Sequence, residues 1–127
     1  MKRVLVSAIV ATLAVVGCSN ADTASSAAWY DSRSKDGPDA LATGTLEEID
    51  GCIYLISVDD GGRYLPVFRG RPTWTPEGAL RTDTGTYVLG EVVELGGGEV
   101  SPSVDPGLKT TIPDTCDLGL TRWTVSG

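Results

Sequence analysis

The chain contains no histidine, which removes the commonest general base and the usual activating partner of a nucleophilic Ser or Cys. No Gly-x-Ser-x-Gly segment is present to build a nucleophile elbow. A Ser–Lys pair would have to use Lys109 or Lys35, the latter in a segment that reads as a tether, so no such catalytic pair is expected. Gly96-Gly97-Gly98 lacks the Gly-Lys-Ser/Thr that turns a glycine run into a phosphate loop, so it reads as a mobile connection between strands. Two of the three cysteines stand far apart and no His accompanies them, so the four-ligand set of structural zinc is not supplied. Only three Lys occur in the whole chain, which argues against a nucleic-acid partner, because phosphate backbones are held by clustered cations. No stretch keeps a 3.6-residue apolar period, so no long helix is expected.

What is present begins with an export signal. Lys2 and Arg3 precede an apolar run from Val4 to Val16, broken only by Ser7 and Thr12, with no acidic residue. Its 13 residues reach roughly 20 Å as a helix, short of the roughly 30 Å hydrocarbon core, so it is not a stable span. The run ends in Val15-Val16-Gly17-Cys18, which resembles the lipobox of bacterial lipoproteins. That resemblance implies a diacylglycerol on the Cys18 thiol, cleavage after Gly17 and acylation of the new amino group. Each buried methylene contributes about 0.8 kcal/mol, so two or three chains hold where a single one would exchange. Ordinary secretion with cleavage near Ala27 or Ala28 is the competing reading, and it leaves Cys18 without a role. By resemblance to the sorting rule, Ser19 after the lipidated cysteine directs the protein to the outer membrane of a two-membrane cell. In a one-membrane cell it stays on the outer leaflet of the cell membrane.

Assigning Cys18 to lipid leaves an even pair, Cys52 and Cys116, which an oxidising compartment joins as a disulfide. Two free buried thiols are the alternative. Cleavage removes Lys2 and Arg3, so the formal charge of −7 becomes −9, and such a surface is unsuited to lying flat on anionic lipid. Residues 18–40, rich in Ser, Ala, Asp and Gly, read as a lipidated tether without strand or helix period, about 25 Å from end to end as a flexible coil. Trp29 and Tyr30 are the exceptions in it, and chance aromatic content is preferred over a contact with the domain or with head groups.

Residues 41–127 are enough for one small core and too few for two. Gly and Pro punctuate them about every eight to twelve residues, with β-branched and aromatic residues between, the pattern of an all-β domain. Asp50-Gly51 between Leu46 and Ile56 suits a type I′ turn. That turn sets Ile49 opposite Cys52 and Leu46 opposite Leu55. Leu46, Ile53 and Leu55 then share one face and Cys52, Tyr54 and Ile56 the other, so the second strand is central rather than at an edge. Asp59-Asp60-Gly61-Gly62 makes a second turn, leading into Arg63 to Phe68, where Pro66 suggests an edge or bulge. Gly90 suggests a bulge or bend in the run from Thr86 to Leu95, and a last strand is expected near Arg122 to Val125. Five short strands and a long crossover before the last favour a small five-stranded, OB-like barrel, with an open β-sandwich as the alternative.

Gly44-x-Leu46, Gly51-Cys52-x-Tyr54-Leu55, Gly90-Glu91-x-Val93-x-Leu95-Gly96-Gly97-Gly98, Ile112-Pro113-x-x-Cys116 and Trp123 also resemble small exported domains of uncharacterised bacterial proteins. The resemblance implies a paired Cys and a compact β domain, and no activity.

For chemistry, two groups stand out. Glu47, Glu48, Asp50, Asp59 and Asp60 gather around two turns, expected at one end of the hairpins, where a glycosidase-like carboxylate pair would have to sit. Turns favour Asp for local reasons, which is the plainer account. Asp59 and Asp60 also lack the ligand spacing of a calcium loop. Arg69, Arg71 and Trp74 concentrate cations and an aromatic in a Pro/Gly loop, a candidate surface for an anionic ligand or acidic partner. Balancing nearby carboxylates and covering a barrel end is the structural alternative. The expectation is a monomeric, non-enzymatic, lipid-anchored module of the cell envelope that binds a protein, glycan or small anion, with no cofactor and no metal. A carboxylate-dependent hydrolase is the alternative.

Overall fold

The computed structural model describes residues 22–32, 37–102 and 109–126. Cys18 and the expected signal therefore lie outside the described residues. In chain order the strands are β1 Asp22–Thr23, β2 Ala28–Asp31, β3 Ala40–Ile49, β4 Cys52–Ser57, β5 Arg63–Arg69, β6 Thr73–Trp74, β7 Leu80–Thr82, β8 Gly85–Tyr87, β9 Val92–Val100, β10 Lys109–Thr111 and β11 Arg122–Val125. Among the described residues there is no helix.

Five of these strands close on themselves. β3 pairs antiparallel with β4, β4 with β5, β11 with β9 and β9 with β3, while β5 and β11 run parallel. Around the ring the first, second and third barrel strands are followed by the fifth and then the fourth. This is an OB-like Greek-key barrel, and the open sandwich does not form.

The β3–β4 hairpin is built by its turn. Asp50 (φ 51°) and Gly51 (φ 80°) both take the left-handed conformation that a type I′ turn needs. The register follows, with Ile49 opposite Cys52 and Leu46 opposite Leu55. Leu46, Ile53 and Leu55 enter the barrel core with Phe68, Leu95, Trp123 and Val125. Cys52 and Tyr54 point the other way, into a second buried cluster with Tyr30, Leu65, Val67 and Cys116. The segment between β10 and β11 covers that outer cluster as a strap, held by the Cys52–Cys116 disulfide. Thr115 Oγ1 donates to Gly51 O (2.7 Å) and Asp117 N to the Tyr54 hydroxyl (2.9 Å), which fix the strap at both sides of the bond.

Pro66 is neither at an edge nor at a bulge; it is fully buried inside the barrel wall. β5 pairs with β4 at Arg63 and Tyr64, and with β2 from Val67 to Arg69. Pro66 stands where one neighbour hands over to the other, so its missing N–H interrupts no ladder. Gly90 (φ 85°) belongs to the turn that separates β8 from β9. Gly96-Gly97-Gly98 is not a connection but the interior of β9. At Gly97 (φ 152°) a Cβ would sit 1.9 Å from Thr124 O, so the strands meet only because no side chain intervenes.

The tether expected over residues 18–40 is corrected by β1 and β2. Tyr30 is buried, its hydroxyl donates to Val125 O at 2.7 Å, and β2 pairs in parallel with β5. Trp29 lies beneath Arg71 rather than free. The physical reason is that β2 extends the barrel wall past Pro66, where β5 would otherwise show an unpaired edge to water. The folded domain thus begins by Asp22 and not at Leu41.

β1, β6, β7 and β8 form a second sheet at the barrel end where β5 finishes and β4 starts. Its Leu80 joins the barrel core, with Trp74 and Tyr87 packed against it, and the Phe68 and Tyr87 rings lie 6.2 Å apart. This sheet closes one end of the barrel.

Two outcomes follow from this packing. Replacing Cys52 and Cys116 together by Ala should cost about 4 kcal/mol in denaturant unfolding, because a 64-residue separation is no longer restrained in the unfolded chain. Burial raises the Tyr30 phenol above the ordinary 10.0, with the Arg69 cation acting in the opposite direction. The folded state therefore keeps the proton longer than the unfolded chain does, and stability should fall as pH rises beyond about 10. Tyr30→Phe should cost about 1 kcal/mol at neutral pH and flatten that alkaline loss, both read from urea melts.

Candidate functional site

The opposite end of the barrel is open. There the beginnings of β3, β5 and β11 and the ends of β4 and β9 surround a groove of about 150 Å³. Leu41, Ala42, Leu55 and Trp123 supply its apolar surface, Thr43, Ser57 and Tyr64 hydroxyls, and Asp59, Asp60 and Glu99 carboxylates. Barrel mouths are common ligand sites. The volume suits one small polar group or the end of a side chain, since drug-sized ligands fill about 300 Å³ or more.

The β4–β5 turn sets two of the carboxylates. Gly61 takes φ 69°, Gly61 N donates to Ser57 O, and Ser57 N donates to Gly62 O (both 2.9 Å). Asp60 Oδ1 accepts from Gly62 N at 2.7 Å, and Ser57 Oγ accepts from Asp59 N at 3.2 Å. Asp60 is thus both the side chain that shapes the turn and part of the groove wall. Glu99 reaches the same rim from β9, directly opposite Trp123 on β11.

Asp59, Asp60, Tyr64 and Glu99 line the same groove. The Tyr64 phenol is raised above its ordinary value first by Asp60, then by burial, then by Glu99 and Asp59. Three carboxylates therefore act on one hydroxyl, which remains a neutral hydrogen-bond donor. Trp123 is buried, and its indole N–H has no hydrogen-bond partner among the protein atoms. Among the described residues no three Asp, Glu, Cys or His come together as a set that would hold a metal ion. The arrangement suits a cationic group instead: carboxylates supply the counter-charge, and Trp and Tyr faces are attractive to ammonium and guanidinium ions.

The residues singled out by sequence fare differently. Asp59 and Asp60 lie in the mouth, but Asp50 does not join them, because the β3–β4 and β4–β5 turns are at opposite ends of β4. A strand of six residues puts about 20 Å between them, so the five carboxylates do not form one cluster. Arg69 is 7% exposed at the end of β5, beside Tyr30, with Nη1 lacking a partner. Arg71 is exposed, and its guanidinium carbon lies 5.1 Å from the centroid of the Trp29 ring. Trp74 is half-buried on the barrel core. The three occupy three different surroundings rather than one open surface. Cys52 and Cys116 are joined, while Cys18 is outside the described residues.

Tyr64, Glu99, Leu41 and Trp123 were not legible as site residues. Tyr64 offered a weak signal, an aromatic just after an Asp-Asp-Gly-Gly turn. Glu99 offered none, since only the β9–β11 pairing carries it to the mouth. Among known proteins, no family model, no curated protein and no solved structure matches this chain.

Asp60→Asn keeps the acceptor oxygen that shapes the turn and removes the largest charge acting on Tyr64. The Tyr64 titration, followed by its ring carbon resonance, should move down toward the ordinary phenol value while the fold persists. An unmoved titration would mean that the carboxylates do not face the phenol.

Proposed function

We propose that this protein is a lipid-anchored, extracytoplasmic binding module of the cell envelope that takes a cationic group at the open mouth of its barrel. The observation that carries this reading is the groove itself: an apolar, aromatic wall from Leu55, Trp123 and Tyr64, rimmed by Asp59, Asp60 and Glu99. The ligand is the ammonium or guanidinium end of a small molecule or of a partner's Lys or Arg, because the groove admits a group of that size and sign. The Arg71 surface is a weaker site for an anion, since its guanidinium is already stacked on Trp29 and Arg69 beside it is buried. The anchored location rests on Val15-Val16-Gly17-Cys18, and a disulfide between Cys52 and Cys116 suits an oxidising compartment.

Titrating the isotope-labelled soluble chain, made with Cys18→Ser and lacking residues 1–17, with methylguanidinium and with butylammonium tests the mouth. Amides of Thr43, Ser57, Asp60, Tyr64 and Glu99 should shift together. Asp60→Asn combined with Glu99→Gln should weaken the response by roughly tenfold or more, the scale of a lost charged hydrogen bond. Shifts confined to Arg71 and Trp29 with sulfate, and none at the mouth with either cation, would reject the proposal. The anchor is tested separately by the intact mass of the membrane-extracted protein, which should show a lipid increment on a chain beginning at Cys18.

A further inference from the structure

We infer that the second sheet is a membrane-facing surface, so that the barrel stands on its closed end with the acidic mouth turned away from the lipid. This rests on the lipid anchor at Cys18 proposed above.

β1 begins at Asp22, four residues beyond Cys18, and four residues span at most about 14 Å. β1 belongs to the small sheet, pairing with β6, and Ala24 N donates to Pro72 O just beyond the end of β5. The mouth is at the other end of the same strands. From Arg69 at the closed end to Tyr64 at the groove β5 runs about 17 Å, and β4 with its turn runs about 20 Å from Ile53 to Asp59. The anchor therefore emerges beside the closed end, and its link is shorter than the distance to the mouth.

The small sheet turns a polar row outward. Register places Thr23 opposite Thr73, Thr73 opposite Arg81 and Arg81 opposite Thr86. Thr23, Arg81 and Thr86 in this row are exposed and Thr73 is partly so. The adjacent row, Trp74, Leu80 and Tyr87, faces the barrel core. The sheet thus has an inner row that is apolar from Trp74 to Tyr87 and ends at Asp22, and an outer row of three hydroxyls and one guanidinium. Arg81 is the one charged side chain of the row, and the exposed carboxylates of Glu77 and Asp83 stand on the turns that flank it. Hydroxyl and guanidinium donors match the phosphate oxygens of lipid head groups. The occupant of the small sheet is the head-group layer of the membrane that holds the anchor.

The test uses the mature lipidated protein in nanodiscs of phosphatidylethanolamine and phosphatidylglycerol doped with a gadolinium-chelate lipid. Amide relaxation should be enhanced most at Thr23, Thr73, Arg81 and Thr86, and least at Asp59 to Gly62 and Tyr64. Arg81→Gln, an exposed substitution, should lower the closed-end-down population about fivefold, the effect of one basic side chain at an anionic surface. Enhancement that is uniform, or largest at the mouth, in a protein whose mass confirms the lipid overturns the orientation while leaving the anchor in place. A protein without the lipid increment overturns the anchor and the orientation with it.

Discussion

Ile53 and Leu55 face the interior of the barrel while Cys52 and Tyr54 face outward, so β4 has to be covered twice. A single-layer sheet with one wet face does not satisfy that demand. The barrel meets the first half by closing β5 onto β11 and bringing Phe68, Leu95, Trp123 and Val125 against Ile53 and Leu55. The strap and β2 meet the second half, with Cys116, Tyr30 and Ala28 over Cys52 and Tyr54. The disulfide joins the strap to the first residue of β4, so the covalent bond lies where two layers of core adjoin.

That arrangement leaves the two ends of the barrel unlike. The end reached by the β5 terminus receives the small sheet, because the chain leaving β5 has Trp74, Leu80 and Tyr87 to bury and the barrel core to bury them on. The end at the β4–β5 turn receives no such cover. Its turn spends Asp60 on holding Gly62, and the chain then enters β5 directly. An uncovered barrel end lined by apolar residues and rimmed by carboxylates is the feature from which binding is proposed. The same asymmetry bears on the placement proposed above, since the N-terminal strand adds to the closed end.

Legibility followed locality. The β3–β4 hairpin was readable because Asp50-Gly51 dictates turn geometry and the turn dictates register within a few residues. The Cys52–Cys116 pair was readable by parity, as the even pair left when Cys18 is set aside for lipid. β2 was not readable: Ala28 to Asp31 is too short to show a period, and its parallel partner lies some forty positions away, at Val67 to Arg69. Gly96 to Gly98 misled for a related reason. Three glycines look like a loop by local preference, and only the approach of Thr124 O explains why they are a strand. The mouth was half readable, through Asp59 and Asp60, and the grouping of Asp50 with them failed because successive hairpin turns fall at opposite ends of a shared strand.

By itself the sequence determined what depends on composition and on neighbours along the chain: an all-β domain with a central strand apolar on both sides, a turn at Asp50-Gly51, and the absence of histidine chemistry. Tertiary structure decided where the domain begins, which barrel end stays open, and that Tyr64, Glu99 and Trp123 meet Asp59 and Asp60 there. The reason is physical. Turn preference and alternation act over a few residues, whereas closure of a barrel is set by pairings between strands tens of residues apart, whose free energy is realised only when all five are in place.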